Sequence, residues 1–255
     1  MKIRELYEGL EARIPRALSC EWDNDGLMVC ADPEREAHRV LIALDITAEV
    51  VERAVEGNFD VVISHHPLVF RPLKALEPSD PVAKKAIRLL TAGVAAMSFH
   101  TRLDAVSGGV NDTLAAALGL MDTIPFGNGE ETIGRIGTLP RALTLGQFVE
   151  EVKRATCVPF VLAADAGVPV HRVAILGGSG SDDVRAAERA GADTYLSGEI
   201  AHHHLTDAPE RGMNHVAAGH FHTENPVCET LSEMLREIDG TLFVEIMNSN
   251  PIRLL

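Results

Sequence analysis

Aromatic residues make up only 4% of this 255-residue chain, with a single tryptophan and two tyrosines. A core of any size must therefore be built from Val, Leu, Ile and Ala, and the 46% hydrophobic content supplies them. Cysteine is scarce as well. Cys20, Cys30, Cys157 and Cys228 include no CxxC pair, which argues against a disulfide framework or a zinc-thiolate site and for reduced, half-buried thiols. Positive charge is in deficit: 23 Lys and Arg against 37 Asp and Glu leave a net charge of −14. Such a surface repels phosphate backbones and anionic membranes, so neither nucleic acid nor membrane is expected as a partner. A small anionic ligand is not excluded, because bound cations can reverse the local field. No apolar run approaches a membrane span. The N-terminal MKIRELYEGLEARI reads as an amphipathic helix without the apolar stretch of a signal peptide. The cytoplasm is the expected location.

The chain repeats itself. Ala31-Asp32 recurs as Ala164-Asp165, and His38-Arg39-Val40 as His171-Arg172-Val173. Ile42, Val51, Ala54, Asp60 and Ser64 recur at the same offset as Ile175, Val184, Ala187, Asp193 and Ser197. After a change of offset, Val94-Ala95-Ala96 and Phe99-His100-Thr101 match Val216-Ala217-Ala218 and Phe221-His222-Thr223. Two blocks in the same order indicate a duplication. Each half alternates strand and helix. In the first, strands are expected at Arg39–Asp45, Asp60–Ser64 and Gly93–Phe99, with helices at Thr47–Gly57, Pro81–Thr91 and Val110–Leu118. The second has strands near Arg172–Leu176, Asp193–Ser197 and His215–Gly219. Short apolar strands alternating with helices predict parallel sheets covered on both faces. The expected fold is thus α/β, with two similar lobes. A boundary is expected near Pro125–Glu130, where Gly127-Asn128-Gly129 interrupts the pattern, giving lobes at 1–125 and 126–255.

Open α/β sheets bind ligands beyond the carboxyl ends of their strands, and the ionisable residues cluster there. Asp60-Val-Val-Ile-Ser64 runs into His65-His66-Pro67; two adjacent histidines converge only if the chain turns just past the strand. The third strand ends in His100-Thr101-Arg102-Leu103-Asp104, and its counterpart in Gly219-His220-Phe221-His222-Thr223-Glu224. His220 and Glu224 are four apart and face one way if a helix starts near Thr223. Imidazoles and carboxylates without thiolates suit divalent Zn, Fe, Mn or Co. Any one segment alone reads somewhat better as a hydrogen-bonded turn or a core or surface histidine; three at equivalent strand ends favour metal. Gly177-Gly178-Ser179-Gly180 could cradle an anion but reads more simply as a tight connection. His202-His203-His204 lies on a helix that spreads the three rings around its axis. Ser64 and Ser197 lack a nucleophile elbow and suit turn roles.

These residues resemble the Nif3-like, or dinuclear-metal-centre, family, whose members are known as GTP cyclohydrolase 1 type 2 homologues. The resemblance runs nearly end to end. It is carried by Trp22-Asp23-Asn24-Asp25-Gly26-Leu27, Ser64-His65-His66-Pro67, His100-Thr101-Arg102-Leu103-Asp104, Ser197-Gly198-Glu199 with His203, and Gly219-His220-Phe221-His222-Thr223-Glu224. It implies two interlinked α/β lobes, a metal site between them and a ring-shaped homohexamer. It also implies two divalent ions per chain on His65, His66, Asp104, His220 and Glu224, with His100 and His222 in auxiliary roles. The family's usual Gly-Asp is Gly198-Glu199 here, which leaves position 199 without an assigned role. The function implied is a metal-dependent hydrolase acting on a nucleotide, with GTP cyclohydrolysis the named candidate. The alternatives are a two-metal phosphatase or phosphodiesterase, and a non-catalytic metal-binding or interaction protein. If the protein is an enzyme, His100 is the best proton-transfer candidate and His222 its counterpart, since imidazole titrates near neutrality.

Overall fold

The computed structural model describes residues 1–129 and 131–253. In chain order the elements are α1 (Ile3–Arg13), β1 (Gly26–Val29), β2 (Arg39–Ala43), α2 (Ala48–Glu56), β3 (Val61–Ser64), α3 (Pro81–Ala92) and β4 (Ala95–Ser98). Then follow α4 (Thr101–Ala105), α5 (Val110–Ala117), β5 (Met121–Asn128), β6 (Glu131–Leu143), α6 (Leu145–Thr156), β7 (Leu162–Ala164) and β8 (Val170–Ser179). The last are α7 (Val184–Arg189), β9 (Thr194–Glu199), α8 (His202–Arg211), β10 (Asn214–Ala217), α9 (His220–Glu224), α10 (Val227–Ile238) and β11 (Phe243–Ile246). The fold is mixed α/β with two sheets. Among the described residues no helix is long and apolar enough to cross a membrane, and none of the four cysteines forms a disulfide.

The chain divides into two compact units. One comprises Met1–Leu103 together with the stretch from Cys228 onward, and the other Asp104–Val227. The expected boundary near 125 is therefore displaced. Gly127-Asn128-Gly129 is the turn of a hairpin, since β5 and β6 pair antiparallel within one sheet; Glu130 lies outside the described residues. The C-terminal stretch belongs with the first unit because β11 adds in parallel to β2. A local Gly-rich turn cannot reveal either long-range pairing.

In the first unit the sheet order is β1-β4-β3-β2-β11, and in the second β5-β6-β8-β9-β10-β7. Both contain the same motif: three parallel strands (β2-β3-β4 and β8-β9-β10) with an antiparallel strand beside the third (β1 and β7). The duplicated residues explain why. The Asp60 carboxylate accepts from the backbone amides of His38 and Arg39, and Asp193 does the same for His171 and Arg172. The repeated His-Arg-Val and Asp thus fix the start of adjacent strands in each copy.

Every residue of β3, β4 and β10 is buried, as expected of strands covered on two faces. In the second unit the alternation is explicit. Val173, Ile175, Leu196 and Val216 pack towards Phe148 and Val152 of α6. Ala174, Leu176 and Tyr195 pack oppositely, towards Val184 and Ala187 of α7. The first unit packs Leu41, Val62 and Ala96 against Val50 and Ala54 of α2 and Leu89 of α3. Helix starts follow local chemistry. Thr47 accepts from the Val50 amide, and Asp80 accepts from Val82 and Ala83 with Pro81 opening α3.

Candidate metal-binding clusters

In the first unit three histidines come together at the carboxyl ends of β3 and β4. His65, His66 and His100 each offer a ring nitrogen within 4.8 Å of the others. Their ring centroids lie 4.8, 5.3 and 5.6 Å apart. The chain does turn past β3: the Ser64 hydroxyl donates to the His66 carbonyl at 2.7 Å and bonds with the Ser98 hydroxyl at 2.8 Å. This is the turn role expected of Ser64, and it lets adjacent histidines face one place.

Each of the three rings presents its Nδ1 to an oxygen. His65 Nδ1 lies 3.0 Å from the Phe99 carbonyl, His66 Nδ1 2.9 Å from Asp45, and His100 Nδ1 2.8 Å from Asp23. An oxygen acceptor holds the proton on Nδ1 and makes Nε2 the lone-pair nitrogen. This arrangement orients imidazoles for a metal ion. Asp23 also accepts from the Thr101 amide and hydroxyl at 3.0 and 2.6 Å. Burial alone would raise its pKa, but the bonds from His100 and Thr101 outweigh that and bring it down to about 2. The carboxylate facing His100 is therefore a fixed negative charge.

Asp25, two residues on, accepts from the buried Arg102 guanidinium at 2.9 Å and from the His100 amide at 3.1 Å. Asp23 and Asp25 together fasten residues 100–102. That is the physical content of the Trp22–Leu27 motif. Gly26 sits at φ 114°, a backbone conformation that residues with a side chain rarely adopt, and a Cβ there would also crowd the Tyr7 hydroxyl at 3.0 Å.

In the second unit the donors are Asp104 on α4 and His220 and Glu224 on α9. Asp104 and Glu224 are 7% and 4% exposed and offer carboxylate oxygens within 4.8 Å of each other. His220 Nε2 lies 3.0 Å from Glu224 Oε2, and its Nδ1 3.5 Å from Glu199. Glu199, whose role the sequence left open, therefore flanks His220. The helix carrying this pair begins at His220 itself, earlier than the start near Thr223 expected from sequence, so the four-residue spacing falls within one helix. A cation near two carboxylates this close would offset their mutual repulsion. The nitrogen and oxygen donors of both sets suit a borderline divalent ion.

The Gly177–Gly180 turn positions α9. The Gly178 amide donates to Thr223 Oγ1 at 3.1 Å, and the Gly177 amide to the buried Asn111 at 2.8 Å. A Cβ on Gly178, whose φ is 66°, would strike Glu224 Oε1 and come within 3.0 Å of His220 Nε2. The turn is the tight connection expected, and its glycines let backbone approach the donor residues. Ser197 donates to the Gly178 carbonyl at 3.1 Å, matching the turn role of Ser64.

His222 belongs to none of the metal-capable groups among the described residues; its Nδ1 lies 3.3 Å from the Thr156 carbonyl. In the helical histidine run, His202 and His203 are exposed and His204 is half-buried, its ring 4.1 Å from that of His203. Sequence reasoning missed Asp45, which the strand-end rule would have caught because it lies just beyond β2. It also missed Asn111, for which no sequence signal exists.

Fold and clusters define an α/β protein whose histidine and carboxylate groups can bind a metal ion. The profile of the Duf34/NIF3 family (NGG1p interacting factor 3) matches residues 1–252, and the chain belongs to that family. A GTP cyclohydrolase 1 type 2 homolog from Clostridium perfringens is 34% identical over 243 residues, covering 93% of this chain and 92% of its own. The crystal structure of the Staphylococcus aureus hypothetical protein SA1388 is similar over 100% of this chain and 99% of that one, with a TM-score of 0.89 and 26% identity. Reduced HcgD from Methanocaldococcus jannaschii gives a TM-score of 0.86 at 28% identity over 98% of both chains.

Proposed function

We propose that the protein is a metal-dependent hydrolase acting on a nucleotide, in the manner its GTP cyclohydrolase 1 type 2 relatives' name suggests. His65, His66, Asp104, His220 and Glu224 hold two divalent ions in this reading. The observation that carries it is the common orientation of His65 and His66, each with Nδ1 on an oxygen acceptor so that Nε2 is the nitrogen a metal would take, with His100 held the same way beside them. When bound, such ions supply a more acidic water and an electrostatic anchor for a substrate oxygen. The chain's own contribution is to orient and to move a proton. His100, held by ionised Asp23, is the group placed to do so beside the ligands. Glu199 adds negative charge beside His220. Assembly into a ring-shaped homohexamer belongs to the same proposal, and light scattering that gives a monomer mass at micromolar concentration would contradict it.

The test is to load the purified protein with Zn, Mn or Fe and assay it against nucleotides and phosphoesters. Release of product from GTP, abolished by chelator and restored by metal, is the expected result. Turnover of phosphoesters but not GTP favours a two-metal phosphatase or phosphodiesterase. Metal binding without turnover of any compound favours the second reading, a non-catalytic metal-binding interaction protein, which the family description "interacting factor" supports.

A further inference from the structure

The chain's only tryptophan is exposed, and it stands beside the histidine cluster. Trp22 is 56% exposed and Phe70 42%. Their ring centroids are 6.2 Å apart at 78°, and those of Trp22 and Phe70 lie 6.2 and 6.0 Å from His100. Two large aromatic faces are thus left to solvent at one place, in a chain that has few to spend. Their loops are tied together, since the Asn24 side-chain amide donates to the Val69 carbonyl. Behind Phe70 opens a cavity of 700 Å³ lined by Pro67, Leu68, Phe70, Arg71 and Lys74 among others. That volume is the size of a small-molecule site. Arg71 and Lys74 form no ion pair among the described residues, although the protein carries a charge of −14. The acids on the same rim are engaged elsewhere: Glu77 accepts from Ser79, and Asp80 caps the first amides of α3.

We infer that Trp22 and Phe70 form a stacking site for a purine base and that Arg71 and Lys74 receive its phosphates. A flat π-face against an aromatic ring is favourable and tolerant of base identity, and a guanidinium with an ammonium provides the counter-charge that an otherwise acidic surface lacks. The inference rests on the nucleotide-hydrolase reading and specifies where the nucleotide would lie: the base on Trp22 and Phe70, next to His100.

Trp22 is its own reporter. GTP, guanosine and inorganic triphosphate are titrated into the full-length, zinc-loaded protein, followed by tryptophan fluorescence and by calorimetry. GTP is expected to quench Trp22. Phe70→Ala should weaken GTP tenfold or more with zinc content unchanged. The double variant Arg71→Ser/Lys74→Ser should weaken GTP to a similar extent but leave guanosine unaffected. All three side chains are exposed, so these variants test binding without removing core. GTP affinity unaltered by Phe70→Ala, triphosphate binding as tightly as GTP, or no GTP binding up to millimolar concentration would each overturn the site. Binding that depends on Phe70 without any turnover keeps the site and rejects the hydrolase. Turnover with an unaltered KM in Phe70→Ala keeps the hydrolase and rejects the site.

Discussion

The carboxylate of Asp45 lies 2.9 Å from Nδ1 of His66, on the side of the ring opposite the nitrogen offered to the cluster. Such a partner fixes tautomer and ring orientation and raises ligand basicity, and its loss typically costs ten- to a hundredfold in metal affinity. Asp45→Ala is therefore expected to weaken zinc binding by about tenfold or more, measured by competition with a chromogenic chelator. His204→Ala, at a residue outside the metal-capable groups found among the described residues, should leave it unchanged. Equal losses in both variants would mean that the cluster is not where metal binds.

Gly178 and Gly212 share nearly the same backbone angle, φ 66° and 67°, but differ in surroundings. A Cβ on Gly178 meets Glu224 and His220, whereas one on Gly212 meets nothing within 4 Å. Both alanine variants carry the left-handed backbone cost of about 1 kcal/mol. Only Gly178→Ala should also displace the donors of α9. The expected outcome is a small fall in Tm for Gly212→Ala, a larger one for Gly178→Ala, and a loss of metal, by elemental analysis, in Gly178→Ala alone.

Much of this was legible in the sequence, and the reason is physical. Strand periodicity, helix caps and the duplicated Asp60 and Asp193 are local or nearly local features, so the parallel triads could be read directly. His65, His66 and His100 were legible because all three follow directly on strand ends, where α/β folds gather ligands, and the chain turns just past β3. What escaped depends on contacts between distant segments. Asp25 and Arg102 are 77 residues apart and both side chains are wholly buried. Nothing local says that one neutralises the other. The pairing of β11 with β2 joins the chain's end to its beginning, and the Asn111 clamp on Gly177 spans 66 residues.

Asp183 makes stability depend on pH in a direction opposite to most carboxylates. Burial, then the neighbouring Asp182 and Glu131 carboxylates, push its pKa from 3.8 up to about 6, against the pull of Arg189. The folded state therefore holds this proton more tightly than the unfolded chain does. The contribution is fully present below pH 4 and is lost as pH rises through 6. Asp183→Asn keeps an oxygen for the Asn128 side chain, which donates at 2.9 Å, and removes the charge. A two-unit shift corresponds to about 2.7 kcal/mol at most, and partial exposure reduces it to about 1–2 kcal/mol. Urea denaturation should show the variant more stable than wild type by that amount at pH 7.5 and equal to it at pH 4. A difference that does not change with pH would disprove the assignment.

His100 is the residue on which ligation and proton transfer can be told apart. It sits four residues before Asp104, its Nδ1 is held by an Asp23 whose pKa is lowered to about 2, and its ring adjoins those of His65 and His66. An imidazole bound to a permanent carboxylate can give up and retake a proton at Nε2 without changing orientation, which is what a general acid or base requires. The same geometry would make it a good ligand. Asparagine separates the roles, because it can still hydrogen-bond towards Asp23 while offering no nitrogen lone pair. In the proton-transfer role, His100→Asn keeps the wild-type metal content and lowers turnover on the best substrate by about a hundredfold or more, with the pH–rate profile losing one limb. In the ligand role, metal content and activity fall together and added metal restores both in part. His222→Asn is the control, since its ring is turned to the Thr156 carbonyl and lies outside the metal-capable groups among the described residues. It should change neither metal content nor the pH profile, and if it reproduces the His100→Asn phenotype the proton-transfer assignment to His100 fails.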